Sequence, residues 1–135
     1  MELTPDENDL LVAGLKAVGD RTKPGAGQGA RFAARRMRAD IFETTVELPL
    51  SLPEAEALVG RTLTDLGTRT AESQAIMGSG AMNLNPAVVT VTLHAHEGQT
   101  LATVRGVAKE GLIRQRAGQK AARRVADQLL HGLPG

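Results

Sequence analysis

The stretch from Ala87 to Lys109 restricts the choice of fold more than any other, because its two halves alternate in phase about a tight turn. In the first half the odd positions Ala87, Val89, Val91, Leu93 and Ala95 are apolar, while the even ones are Val88, Thr90, Thr92, His94 and His96. That is the period-two pattern of a strand with one buried face. In the second half Ala102, Val104, Gly106 and Ala108 form the small, uncharged face, opposite Leu101, Thr103, Arg105, Val107 and Lys109. An even-length turn, two residues at Glu97-Gly98 or four from His96 to Gln99, sets Val91 against Val104, Leu93 against Ala102 and Thr92 against Thr103. A three-residue turn would set Val89 against Arg105 and mix core with charge. The alternation therefore predicts an antiparallel hairpin with an even turn.

Further elements frame this hairpin. Phe42, Thr44, Val46, Leu48 and Leu50 face one way and Glu43, Thr45 and Glu47 the other, a strand that Pro49 confines to a sheet edge or brings to an end. Ser51 to Glu54 has the capping-box form, and Ala55, Leu58, Val59, Thr62, Leu63 and Leu66 recur at helical spacing until Gly67. Arg69 to Met77 reads as one more strand and Gly78 to Asn85 as a loop. After a break at Gly111, Leu112 to Leu130 forms a last helix. On it Ala117, Gly118, Ala121, Ala122, Val125, Ala126 and Leu129 fill one arc, and Arg116, Lys120, Arg123 and Arg124 the opposite one. The order strand, helix, three strands, helix predicts an α+β, two-layer domain: a four-stranded antiparallel sheet with two helices on one face. It resembles the layout of helix-grip and related small sheet-and-helix folds in element order only. No motif identifies a family, and spacing leaves open whether the first strand pairs with the second or the last.

The N-terminal part has a different character. Thr4-Pro5-Asp6-Glu7 has the form of a helix start, Leu11, Leu15 and Val18 share a face, and Gly19 supplies a stop. Arg21 to Ala30 has no periodicity and much glycine, and reads as a flexible linker. Gly25, Gly27 and Gly29 suggest a phosphate loop only superficially, since no strand precedes them and no Gly-Lys-Ser/Thr follows. Arg31 to Asp40 could be a short basic helix leading into the sheet. The expected division is residues 1–39 as an N-terminal helix plus flexible basic linker, and residues 40–135 as the α+β domain. Net charge is +1, but Met1 to Asp20 holds five acids against Lys16, Arg21 to Ala39 six bases and no acid, and Asp40 to Gly111 nine acids against four bases.

Composition narrows the function classes. With 135 residues the chain can bury one modest core. The absence of cysteine removes disulfides and thiolate metal sites. An acidic start argues against a secretory signal, and no run of about 18 apolar residues could span a membrane. A soluble, cytoplasmic protein with no membrane contact is the expectation. The only aromatics are Phe32 and Phe42, which weakens any reading that needs stacking platforms.

His94 and His96, two apart on one strand, could supply two ligands of one metal ion if Glu43 or Glu47 lay on an adjacent strand; two polar residues beside a wet turn is the plainer reading. No metal and no cofactor is therefore expected. Ser51, Ser73 and Ser79 pair with no evident base, and no enzyme is predicted. A second possibility is an apolar ligand held between sheet and helices, with Met77 and Met82 at a pliable mouth. Against it, small residues on both layers permit close approach. The favoured reading is a non-enzymatic binding or interaction domain that self-associates, as a dimer, through the charge-poor outer hairpin face of Val88, Thr90, Thr92, Leu101, Thr103 and Val107, with a further protein partner left open. Covering of that face by the chain's own N-terminal helix is the alternative. Arg31, Arg35, Arg36 and Arg38 form a basic tract expected to dock on protein. Nucleic acid is the less favoured partner, given near-neutral charge and few aromatics.

Overall fold

The computed structural model of the chain describes residues 1–22, 37–80, 84–110 and 114–134. Three helices, α1 (Pro5–Thr22), α2 (Leu52–Leu66) and α3 (Ala117–His131), accompany five strands, β1 (Arg38–Leu48), β2 (Thr68–Ala71), β3 (Gln74–Ser79), β4 (Asn85–His96) and β5 (Gln99–Glu110). The strands form one antiparallel sheet in the order β1-β5-β4-β3-β2.

The hairpin has the register its alternation implies. Val91 pairs with Val104, Leu93 with Ala102 and Thr92 with Thr103, and His96 opposite Gln99 leaves the two-residue turn Glu97-Gly98. Both turn residues have positive φ, 49° and 80°, as a turn of matching right-handed twist requires. The first strand joins the last, β1 with β5, at the edge of the sheet, and its pairing ends at Leu48 just before Pro49.

The class is α+β, but the sheet has five strands rather than four. The single strand expected over Arg69 to Met77 is two, β2 and β3, folded about Glu72-Ser73. Arg69 Nη2 donates to the Glu72 carbonyl (2.6 Å) and Thr70 Oγ1 to Gln74 Oε1 (2.9 Å), so side chains hold a turn that contains no glycine, proline or asparagine. β1 also begins earlier than expected, at Arg38, so Arg38 to Asp40 are strand rather than the end of a basic helix; Arg31, Arg35 and Arg36 lie outside the described residues. α1 runs on to Thr22, past the expected stop at Gly19.

α2 and α3 cover one face of the sheet. Ser51 and Glu54 close their capping box at the start of α2, and Ala55, Leu58, Val59, Thr62 and Leu63 are buried. All seven members of the small arc on α3 are buried. The layers touch at Gly106 and Gly118: a Cβ at Gly106 would lie 2.8 Å from Ala122 Cβ, and one at Gly118 2.5 Å from the Asp40 carbonyl oxygen. Leu48, Val89, Val104, Val125 and Leu129 complete a main core with no exposure.

α1 lies on the other face, so the described chain has three layers. Thr4 Oγ1 accepts from Glu7 N (3.1 Å) and Glu7 Oε1 from Thr4 N (2.9 Å), the reciprocal cap that starts the helix. Leu11 packs on Val88 and Val107, with Leu3, Leu10, Ile41 and Ile76 around them. Gly14 allows this approach, since a Cβ there would meet the Pro86 ring at 3.0 Å.

Candidate functional site

Two regions of the described surface gather polar or unpartnered groups: the outer face of the sheet and the end where β1, β5 and α3 meet.

On the outer face, cross-strand neighbours form rows. Ile41, Val107, Val88 and Ile76 make the row beneath α1. Next come Glu43, Arg105, Thr90 and Gln74, then Thr45, Thr103 and Thr92, then Glu47, Leu101 and His94. Thr45 Oγ1 and Thr103 Oγ1 are 3.3 Å apart, and Gln74 Nε2 donates to Thr90 Oγ1 (3.1 Å). Of the six hairpin residues singled out as an interaction face, Val88 and Val107 are fully buried under α1. Thr90, Leu101 and Thr103 stay half-buried and Thr92 exposed.

Arg105 joins the covered and open parts. Its Nε donates to Glu7 Oε2 (2.9 Å), its Nη2 to Glu7 Oε1 (3.1 Å) and to the Glu2 carbonyl (2.6 Å), and its Nη1 stands 3.8 Å from Glu43 Oε1. Burial pushes the Glu7 carboxyl up, but the hydrogen bonds from Arg105 and Thr4, with the guanidinium charge, outweigh it and hold the pKa below the usual carboxylate range. Hydrogen bonding to Glu7 raises that of Arg105 despite partial burial. Such a pair keeps both charges satisfied while fastening α1 to the sheet.

His94 and His96 are exposed near the hairpin turn, with His96 Nε2 3.8 Å from Glu97 Oε2. β5 stands between β4 and β1, so Glu43 and Glu47 are two strands away from the histidines instead of adjacent. Among the described residues no three His, Asp or Glu side chains gather to hold a metal ion. Met77 is a core residue on β3, 4% exposed, and Met82 lies outside the described residues. The close passage of α3 over Gly106 leaves the middle of that layer filled by side chains and backbone. No described helix is long and apolar enough to cross a membrane.

At the far end from the hairpin turn a cleft of about 720 Å³ opens between the start of β1, the end of β5 and the start of α3. Two acids cap α3 here: Glu110 Oε1 accepts from Ala117 N (3.2 Å) and Asp40 Oδ2 from Gln119 N (3.0 Å). These caps were not legible in the sequence, because Arg116, the residue before the helix, offers no side-chain cap, and the acids that serve come from two strands. Arg38, Arg114 and Arg116 also line the cleft. Ser79 Oγ donates to the Ala117 carbonyl (2.8 Å), fixing the helix start from the side of β3.

Comparison with protein-family models, with curated proteins and with solved structures gives no match in any of the three.

Proposed function

We propose that the protein is a binding domain without reaction chemistry of its own, and that it works as two copies joined along β1. The observation that carries this reading is the open edge of the sheet. β1 is eleven residues long and, among the described residues, is paired on one side only, by β5. The opposite edge, β2, has four residues, so the unpaired main-chain groups are concentrated at β1. A long open edge is a template for another strand, and a second copy supplies one of matching length and pattern.

A dyad normal to the sheet runs the two β1 strands antiparallel and keeps both faces in phase. Carboxylates restrict the register. A dyad at Glu43 opposes Glu43 to itself, and one at Thr45 opposes Glu43 to Glu47 twice; dyads at Phe42 or Thr44 oppose no like charges. The open part of the outer face, with Thr90, Thr92, Leu101 and Thr103, is about three side-chain rows or roughly 20 Å deep. That is too little alone for the ~800 Å² per partner of a stable interface, so the edge has to contribute main-chain bonds.

Light scattering coupled to size exclusion at high micromolar concentration tests this, with a mass twice the 14.2 kDa of the chain expected. Successive N–H groups on an edge strand point alternately toward and away from the neighbour. Of Thr44→Pro and Thr45→Pro, one therefore spares the β5 ladder, and that variant is expected to melt like the parent and run as a monomer. A parent chain that is monomeric at that concentration overturns the reading.

A further inference from the structure

The edge strand β1 differs between its two faces. On the face that α2 and α3 cover, Phe42 and Val46 are half-buried and pack against the main core, with Thr44 between them. The Arg123 guanidinium of α3 lies over the Phe42 ring, 5.3 Å from its centroid. On the outer face Glu43, Thr45 and Glu47 are exposed. β5 pairs one side of the strand, and among the described residues no strand pairs the other.

Two registers of an antiparallel β1 pair, with the dyad at Phe42 or at Thr44, set no like charges directly opposite each other. Their ladders are equally long, since the first joins residues 38–46 and the second residues 40–48 of each copy, nine in either case. Main-chain hydrogen bonds therefore do not choose between them, and the side chains do. With the dyad at Phe42 the two rings meet, each bringing its Arg123 guanidinium toward the other, and Val46 falls opposite Arg38. With the dyad at Thr44, Phe42 of each copy falls opposite Val46 of the other, so an aromatic side chain meets a β-branched one twice. The main core then continues across the dyad, and the two Phe42 residues stand four positions apart along the strands, roughly 13 Å. The cost is on the outer face, where Glu43 becomes a diagonal neighbour of Glu43 and Glu47 in the second copy, about 7–8 Å away. Water and salt weaken the repulsion of exposed charges at that separation, and within each copy Arg105 Nη1 lies 3.8 Å from Glu43 Oε1.

We propose that the second copy docks with the dyad at Thr44, so that Phe42 and Val46 of the two copies form a reciprocal apolar contact on the helix-covered face. This rests on the pairing along β1 and adds to it the register and the residues that hold it.

The chain has no cysteine, so a single introduced thiol reads the register. Thr44→Cys, Phe42→Cys and Glu47→Cys are each oxidised as the full chain at high micromolar concentration, and dimers are followed by non-reducing electrophoresis. A disulfide needs Cα atoms within about 7 Å, a condition met by directly opposed residues and not by residues four or six positions out of register. Thr44→Cys should cross-link about tenfold faster than the exposed Glu47→Cys, which measures chance collision, because pairing holds its thiols at millimolar effective concentration. Phe42→Cys should cross-link no faster than Glu47→Cys. Val46→Glu provides a check without thiols: its carboxylate would face Phe42 in the proposed register and Arg38 in the other, so the dimer should weaken. Faster cross-linking of Phe42→Cys than of Thr44→Cys, or a Val46→Glu dimer at least as tight as the parent's, overturns the proposal in favour of the other register. Thr44→Cys no faster than Glu47→Cys, in a parent chain that has twice the mass of 14.2 kDa by light scattering, overturns the register alone. A monomeric parent chain overturns the pairing and the register with it.

Discussion

Arg105 shows how one side chain can change the meaning of a surface. In the sequence it interrupts an otherwise uncharged strand face; in the fold it reaches Glu7, 98 residues away, through two hydrogen bonds and also holds the Glu2 carbonyl. Glu7 was legible as a capping residue, and it is one, but the same carboxylate serves the ion pair. Nothing local in the sequence signals a second partner at such separation. Glu7 is 3% exposed, so replacing its charge leaves the Arg105 guanidinium with the neutral Glu2 carbonyl and, among the described carboxylates, Glu43 at 3.8 Å. Glu7→Gln is expected to cost about 1.5–3 kcal/mol, the worth of hydrogen bonds to a charged group. The pH dependence has a definite sign. Because the folded pKa of Glu7 is depressed, the unfolded chain binds more protons between the two values. The stabilisation is thus complete above the ordinary glutamate range and is lost as pH falls through the lower folded value. Urea midpoints measured from neutral to acidic pH should converge for the parent chain and Glu7→Gln at the acid end. Parallel curves would show that the pair contributes nothing.

At the scale of elements, legibility followed the strength of the local code. The hairpin register, both capping boxes and the buried arc of α3 all come from repeated or reciprocal patterns, and all are found. β2 has no such pattern: all four of its residues are exposed, so no alternation separates it from β3. Its turn at Glu72-Ser73 is held by Arg69 and Thr70 side chains instead of by turn-forming residues, which is why one strand was expected where there are two. The hairpin turn is the reverse case, clear in its length but imperfect in its chemistry. Glu97 is held at a φ of 49°, in the left-handed region that favours asparagine and glycine. Glu97→Asn should relieve that strain and raise stability by about 0.5–1 kcal/mol, since Asn-Gly is the preferred pair for this turn. Thermal unfolding of the variant provides the check, with an unchanged or lowered midpoint counting against the argument. The neighbouring position offers no such gain, because Gly98 at a φ of 80° is already suited to its place.

For the molecule as a whole the decisive feature is that the sheet is covered on both sides. The sequence pointed to two helices on one face and left open whether the N-terminal helix docks on its own domain or on another subunit, because the apolar stripe of α1 is narrow and glycine-rich sequence follows it. Docking depends on a match that no single segment displays: Leu11 meets Val88 and Val107, which lie on two strands, and Gly14 meets the Pro86 ring. The charge-poor hairpin face was the visible half of this match, and α1 covers the end of it that holds the two valines, leaving the threonine rows open. Removing residues 1–22 therefore separates two contributions. The main core between the sheet and α2 and α3 involves none of the deleted residues, so the shortened chain is expected to keep its sheet and helices by circular dichroism. Val88 and Val107 go from fully buried to uncovered, which at about 1.5–3 kcal/mol per side chain is a loss of roughly 3–6 kcal/mol as an upper bound. That is a large fraction of the 5–15 kcal/mol typical of a domain. The truncated chain should unfold at a clearly lower urea concentration and bind an apolar dye that the full chain does not. If its midpoint equals that of the full chain, α1 is a passenger on the sheet, and the pairing of Glu7 with Arg105 has no part in the stability of the fold.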